Sequence, residues 1–251
     1  MPRRKTGRIY IGVGGWNFAP WRGTFYPKGL AHSRELHHAS RELTSIEINS
    51  TFYRLQTAAT FEKWRDDTPD GFVFSVKAPR FVTNRNRLAE AGASIEKFLD
   101  SGVLRLGDKL GAINWQLAPT KIFDAADVAA FLALLPHKVG GRALRHALEV
   151  RHASFAGNAE FIAMAREHEV AVVEAGDSGY PHIEARTAPF SYLRIMGTKA
   201  SAPKGYAAAA LARWRERAEV LAKDGDVYLY FISGTKVRNP LAARELIDTL
   251  K

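Results

Sequence analysis

No cysteine occurs among the 251 residues. That absence removes disulfide cross-links, thiolate nucleophiles and cysteine-based zinc or iron–sulfur sites in one step, and it leaves no redox indication of a compartment. Long apolar runs are also missing: no segment approaches the ~20 consecutive apolar residues that a membrane helix needs, so no membrane partner is expected. The basic start MPRRKTGR leads only into IYIGV before Gly14-Gly15, too short for the apolar region of a signal peptide. The expectation is a soluble, cytoplasmic protein. No glycine-rich dinucleotide fingerprint follows the first apolar run, because Gly12-Val13-Gly14-Gly15-Trp16 lacks the required spacing. There is no His-Glu-x-x-His string and no low-complexity stretch. With 46% apolar and 25% charged residues, the composition is that of an ordinary globular chain.

What is abundant is positive charge, a formal +10 at neutral pH. A field of one sign steers and concentrates ligands of the other, so the excess favours an anionic partner over a neutral one, although solubility alone could account for it. Short runs rich in β-branched and aromatic residues recur at 8–13, 45–49, 72–77, 110–117, 147–151, 170–174, 190–195 and 227–232. Helix-like stretches separate them, at 33–42, 60–66, 89–105, 125–135, 159–168, 207–222 and 240–250. Alternation of this kind marks parallel βαβ units. About eight strands in a chain of this length predict a TIM-like β/α barrel, a single domain over 1–251 with residues 1–7 as a basic N-terminal tail. Between the sixth and seventh strands AGDSGYPHIEARTAP has no helical period, so a loop crossover is expected there. The oligomeric state has no signature.

In such a barrel ligands meet the carboxyl ends of the strands. Period-two alternation places Glu47 with Asn49, and Glu149 with Arg151, on the inner face, opposite Ile46, Ile48, Leu148 and Val150. Gln116 ends the fourth strand, Arg194 lies in the seventh, and Lys77 and Arg80 close the third. Charges gathered in a barrel mouth persist when they pair with one another, bind a ligand or keep water. Two readings follow, an internal ion network that fills the barrel or a binding site, and the shared position at strand ends favours the site. Lys77 could neutralise an anion, or, with a lowered pKa, act as base or Schiff-base nucleophile. Glu47 and Glu149 could form an acid–base pair if their environments separate their pKa values. Glu47, Glu149, His152 and Asp177 would permit a divalent metal, but no ligand spacing supports one, so no metal is assigned and any cofactor is left open. Trp16 and Trp21 crowd the first βα loop with Phe18, Phe25 and Tyr26, and Tyr53 follows the second strand. They suit either a pocket wall or a satellite core under the loop.

Several of these segments form recognisable strings: G-G-W and W-R-G-T-F-Y-P near the start, E-I-N-S-T-F-Y after the second strand, F-S-V-K-A-P-R at the third, L-G-x-x-x-x-Q-L in the fourth and E-V-R-H-x-S in the fifth. In that order, from Tyr10 to the last helix, they resemble the YecE-like family, domain of unknown function 72. The resemblance implies a β/α barrel and brings no reaction with it. Residue by residue it points to Trp16, Trp21, Glu47, Asn49, Thr51, Tyr53, Lys77, Gln116, Glu149, Arg151, Ser154 and Arg194. The chain departs from the family pattern at Asn84 and Met196, where the family usually has histidine, and at Ser233-Gly234, where an Asn-rich turn is usual. Mechanisms that need those two histidines are therefore not expected here.

Three functions fit these features. The first is an enzyme, a hydrolase, lyase or isomerase, acting on a small anionic, phosphate-bearing substrate, with Arg151, Arg194 and Lys77 converging on the anion and Glu47 or Glu149 moving a proton. The second is a nucleic-acid-binding or nucleic-acid-processing barrel, suggested by Arg80, Arg85 and Arg87 flanking Phe81 in the third loop. The third is a non-catalytic sensor of anionic ligands. The loops that follow the strands, with Arg54, Lys77, Arg80, Arg151, Lys236 and Arg238 among their residues, hold most of the positive excess. The strand-entering connections are close to balanced.

Overall fold

Nine parallel strand segments make one sheet in the computed structural model, which describes residues 6–250. They are β1 (Ile9–Gly14), β2 (Ser45–Ile48), β3 (Val73–Lys77), β4 (Leu110–Gln116), β5 (Arg145–Glu149), β6 (Ala171–Val172), β7 (Glu174–Gly176), β8 (Phe190–Ile195) and β9 (Asp226–Phe231). The sheet order is β6-β5-β4-β3-β2-β1-β9-β8-β7. Its two ends, β6 and β7, are separated in the chain only by Val173, whose N–H donates to the Leu148 carbonyl at 3.0 Å. The sixth strand of the sequence pattern is therefore one interrupted strand. Its first half pairs with β5 and its second with β8, and it draws the sheet into a nearly closed TIM-like barrel. Of the basic tail expected over residues 1–7, residues 1–5 lie outside the described residues; Gly7 N–H is bonded to the Ala222 carbonyl at 2.8 Å.

Around the barrel run α1 (Glu35–Glu42), α2 (Ser50–Tyr53), α3 (Ala58–Asp67), α4 (Arg80–Thr83), α5 (Gly92–Asp100), α6 (Ala125–Ala133), α7 (Ala159–Glu167), α8 (Ala208–Ala222) and α9 (Asn239–Asp248). The long helix expected over 89–105 breaks after α5. Gly102 takes φ 108°, and a Cβ there would lie 2.5 Å from the Cα of Ala58; the chain continues as a 3-10 segment, Val103–Lys109. A small antiparallel hairpin, Lys138–Val139 with Arg142–Ala143, precedes β5. The crossover from β7 to β8 is helix-free, as its composition predicts. Among the described residues no helix is long and apolar enough to cross a membrane.

Alternation sorts the strand residues into two layers. Ile46, Ile48, Val76, Ile113, Leu148, Leu193 and Leu229 face outward into the core beneath the helices. The inward set fills the barrel in tiers. Tyr10 stacks on Tyr228 at 5.2 Å and Phe190 meets the same ring edge-on at 5.8 Å, near the amino ends of the strands. Above them the Tyr230 hydroxyl bridges Ser45 Oγ (2.7 Å) and Ser75 Oγ (2.8 Å). The charged tier comes last, at the carboxyl ends. Small residues at Gly12, Ala112, Ala147 and Ala171 make room for the tyrosines; a Cβ on Gly12 would lie 1.8 Å from the Ser45 carbonyl oxygen.

One buried histidine is structural. His146 Nδ1 accepts from Trp115 Nε1 at 3.0 Å, so the ring proton sits on Nε2, which donates to the Pro136 carbonyl at 2.9 Å. Burial pulls its pKa down to about 4. In the unfolded chain the same imidazole titrates near 6.5. Between those values the unfolded state binds more protons, and stability falls as the pH is lowered through that window. Urea unfolding at about pH 7 and about pH 4.5 should therefore show a smaller loss for His146→Gln than for the unsubstituted protein. Equal losses would remove His146 from the acid response.

Candidate functional site

The topmost inward tier is a network of charges under an open cavity. Arg194, on β8, is 2% exposed and lies between two fully buried carboxylates, Glu47 of β2 and Glu149 of β5. Its Nη2 donates to Glu47 Oε1 at 3.0 Å and its Nη1 to Glu149 Oε2. Asn114 of β4 donates from Nδ2 toward both carboxylates, at 3.3 and 3.4 Å, and the Tyr192 hydroxyl donates to Glu47 Oε2 at 2.6 Å. Arg151 Nε donates to Glu149 Oε1 at 2.8 Å. Every carboxylate oxygen in the pair thus has a donor. Burial alone would raise the Glu149 pKa, but Arg194, Arg151 and Lys77 outweigh it and hold the carboxyl below its ordinary range. Burial likewise works against the Arg194 charge, and Glu149 and Glu47 more than restore it.

Glu47 and Glu149 are the counter-ions of a buried arginine, and each of their oxygens already accepts a hydrogen bond. The internal network and an open cavity are both present, in separate layers: Glu47, Glu149 and Arg194 form the floor, and Lys77 and Arg151 stand above it. Gln116 joins the layers, its Oε1 accepting from Arg151 Nη2 at 2.7 Å and from Arg194 Nη1 at 3.3 Å. Arg151 is held further by Tyr180 of the β7–β8 crossover, which lies 4.3 Å beneath the guanidinium and accepts from Nη1 at 3.2 Å.

Lys77, the last residue of β3, is positioned by the turn after β2. Thr51 Oγ1, buried at the start of α2, lies 2.6 Å from the Lys77 carbonyl oxygen and 3.1 Å from that of Ile48, tying the two strand ends together. Phe52 then places its ring 3.9 Å from Lys77 Nζ. Among the described residues no acceptor lies within hydrogen-bonding distance of that ammonium. Burial, and then the Arg194 charge, lower its pKa to about 8, against the pull of Glu47 and Glu149.

The cavity over this floor has a volume of about 720 Å³. Five lining side chains are cationic, Arg54, Lys77, Arg151, Arg194 and Lys236, and none of the described lining residues is acidic. Its aromatic wall includes Trp16, set edge-on to Trp64 at 5.1 Å, and Phe18, over which Lys236 Nζ sits at 4.5 Å. Asn49 Oδ1 and Gln56 Nε2, on two more lining residues, are buried without a partner among the described residues. Gly14 at the cavity edge has no room for a side chain: a Cβ there would lie 2.5 Å from Asn49 Nδ2 and 2.7 Å from Ile232 Cδ1.

Of the residues singled out by sequence, Trp16, Asn49, Tyr53, Lys77, Gln116, Arg151 and Arg194 line this cavity. Others do not. Trp21 is fully buried with Phe25 and Tyr26 in the main core beneath the helices, its Nε1 donating to the Lys236 carbonyl at 2.9 Å. Thr51 acts on Lys77 from beneath. His152 caps the Ala153–Phe155 turn, its Nδ1 accepting from the Ser154 amide at 3.2 Å, while Ser154 Oγ accepts from the Phe123 amide at 2.8 Å. Asp177 adopts φ 53° and binds Tyr206 Oη (3.0 Å) and Trp214 Nε1 (3.1 Å), which anchors the segment after β8. Arg80 stands on the rim, 5.8 Å over the Tyr53 ring. The residues that would have permitted a metal therefore do not assemble as a set. Among the described residues Glu174, His182 and Glu184 do approach one another, but Arg217 already bridges both carboxylates, at 2.7 and 3.2 Å.

Sequence reasoning missed Asn114, Tyr192, Tyr180 and Phe52 as the lysine's partner, and placed Lys236 only among the basic loop residues. For two of them a signal existed, since Asn114 shares strand parity with Gln116, and Tyr192 with Arg194. Asn84 and Met196, where histidine was expected from the family pattern, are not among the cavity-lining residues, whereas Ser233 of the altered turn is.

Parallel strands curled into a nearly closed barrel, with a polar tier at their carboxyl ends, place the chain among the β/α barrels. Within that class it belongs to the DUF72 family: residues 10–251 match the family described as "Protein of unknown function DUF72". It is similar to YunF of Bacillus subtilis, 31% identical over 153 residues, covering 59% of this chain and 52% of YunF. It is likewise similar to YecE of Escherichia coli, 27% identical over 155 residues, covering 61% and 52%. The chain thus spans about half the length of the curated relatives it matches. A crystal structure of a DUF72 family protein from Thermotoga maritima superposes with a TM-score of 0.78 at 20% identity, covering 97% of this chain and 99% of the other. One from Enterococcus faecalis gives 0.71 at 18% identity, covering 98% and 99%. These two establish the shared fold.

Proposed function

We propose that the cavity at the carboxyl ends of the strands binds a small anionic, phosphate-bearing ligand, and that the protein acts on that ligand. The observation that carries this reading is the lining itself, in which five cationic side chains and no described carboxylate face about 720 Å³ of space. Of the three cations expected to converge, Arg194 and Arg151 are paired with the buried carboxylates, so Arg151 offers an anion its remaining N–H donors while the uncompensated positive charge comes from Lys77, Lys236 and Arg54 of the same lining. The unpartnered Asn49 Oδ1 and Gln56 Nε2 supply an acceptor and a donor for the uncharged part of a ligand.

Inorganic pyrophosphate is a sufficient probe. At about 100 times its dissociation constant it should stabilise the protein by about 2.7 kcal/mol, a rise in Tm of roughly 5–10 °C for a chain of this size. The rise should shrink as salt is added. No shift at low ionic strength would end the reading. A polynucleotide is the second reading, favoured by the rim, where Tyr53 is 69% exposed beside Arg80 in the manner of a stacking platform flanked by backbone contacts. Oligonucleotide binding that survives substitution of Lys77 but not of Tyr53 would favour it.

A further inference from the structure

We propose that Lys77 is a covalent nucleophile that forms an imine with the carbonyl carbon of a phosphate-bearing aldehyde or ketone. This rests on the anion-binding reading of the same cavity and assigns the ligand a second chemical requirement. The first support is what surrounds the amine. Two other partly buried lysines of the barrel hold their protons through acceptors, whereas Lys236, with its Nζ over the Phe18 ring at 4.5 Å, shares the setting of Lys77. Lys109 Nζ donates to the carbonyls of Arg65 (2.7 Å) and Thr68 (2.6 Å), and Lys121 Nζ to Asp127 Oδ2 and the Asn86 carbonyl, both at 2.6 Å. Among the described residues Lys77 Nζ has only the Phe52 ring face, at 3.9 Å. Loss of its proton therefore strands no acceptor and breaks no hydrogen bond.

The second support is the division of charge. A lysine whose task is to hold an anion works best fully protonated, yet burial and the neighbouring Arg194 bring Lys77 to about 8. At neutral pH roughly one molecule in ten then carries the free amine, against about one in three thousand for an ordinary lysine. The anion is not held by it alone, because Arg54 and Lys236 line the same cavity. A neutral primary amine in a cavity with separate anion anchors matches a ligand with a carbonyl a few bonds from its phosphate.

The chemistry balances without a cofactor or oxidant. The amine lone pair adds to the carbonyl carbon, the carbonyl oxygen takes up a proton, and the nitrogen loses one, giving a carbinolamine. Departure of its hydroxyl as water, with loss of the second nitrogen proton, leaves the imine. One carbonyl and one amine become one imine and one water.

Pyridoxal 5′-phosphate, an aldehyde and a phosphate in one molecule, is the probe. The full chain is mixed with one equivalent at about pH 8, reduced with borohydride and mapped by peptide mass spectrometry, with pyrophosphate-induced stabilisation measured in parallel. The expected result is an adduct on the Lys77 peptide at least about tenfold above that on exposed lysines such as Lys28, falling about tenfold or more at pH 6 as the amine is protonated. Lys77→Arg should abolish that adduct and leave labelling elsewhere unchanged; mapping the unsubstituted protein suffices if the variant does not fold. Pyrophosphate stabilisation with labelling at Lys77 no higher than at exposed lysines, or with the adduct on Lys236 instead, overturns the imine and leaves the anion reading standing. Selective Lys77 labelling without pyrophosphate stabilisation keeps the nucleophile and removes the phosphate requirement. Neither signal removes both.

Discussion

Arg194→Leu should cost the barrel about 3–5 kcal/mol, because removing one partner of a buried ionic network leaves the others charged and uncompensated. Here two carboxylates, both fully buried, would face each other without the guanidinium that now bonds to each. Against a total stability of about 5–15 kcal/mol such a loss leaves the fold marginal, with Tm lowered by roughly 6–20 °C. The same argument sets its own control. Glu47→Gln and Glu149→Gln remove the stranded charges, so adding both to Arg194→Leu should return a large part of the lost stability. Denaturant unfolding of the single and triple variants checks this. A triple variant no more stable than the single one would mean that Arg194 supports the fold through packing, and that the floor is not held together by charge.

Lys77→Met should have the opposite sign. The lysine sits 8% exposed against Phe52 without a carboxylate contact of its own, and its pKa of about 8 measures a charged form held in a place that disfavours it. In the folded state this base is lowered relative to the unfolded chain. Between about pH 8 and about 10.5 the unfolded state binds more protons, so stability of the unsubstituted protein rises with pH across that window. At neutral pH the penalty is present in full. An apolar side chain of similar length removes it, and we expect Lys77→Met to be more stable by on the order of 1–3 kcal/mol at pH 7 and to lose the pH-dependent gain. Stabilisation by pyrophosphate should fall sharply in the same variant. Gain of stability with loss of binding is the pattern of a residue kept for function at the expense of the fold. A destabilised Lys77→Met that still responds fully to pyrophosphate would assign Lys77 to structure.

Strand alternation made the floor legible before any coordinates. Once the runs at 45–49 and 147–151 are strands, Glu47 and Glu149 must share the inner face, and Arg194 follows from the same parity on the seventh strand. Which charge neutralises which was not legible. The partners come from distant strands, Tyr192 lying 145 residues from Glu47 and Asn114 lying 67, and only barrel closure puts them in one tier. Loop residues were the other failure, for a related reason. No periodicity fixes where Trp21, His152 or Asp177 points once the chain leaves the strand. Trp21 turned under its loop because its indole had apolar neighbours and a backbone acceptor there. Asp177 turned away with its left-handed backbone toward Tyr206 and Trp214. The interrupted strand at Val173 escaped notice because VAVVE reads as continuous; the break lies in its pairing partners, not in its composition.

The most direct test of the central claim is a crystal structure of the protein grown or soaked in pyrophosphate at low ionic strength. The account predicts the anion inside the cavity, with oxygen atoms within about 3.2 Å of Lys77 Nζ and of the Arg151 guanidinium, and with the Glu47–Arg194–Glu149 floor unchanged beneath it. An anion bound only at the rim beside Tyr53 and Arg80, or a cavity whose Lys77 turns away from the bound anion, would contradict it.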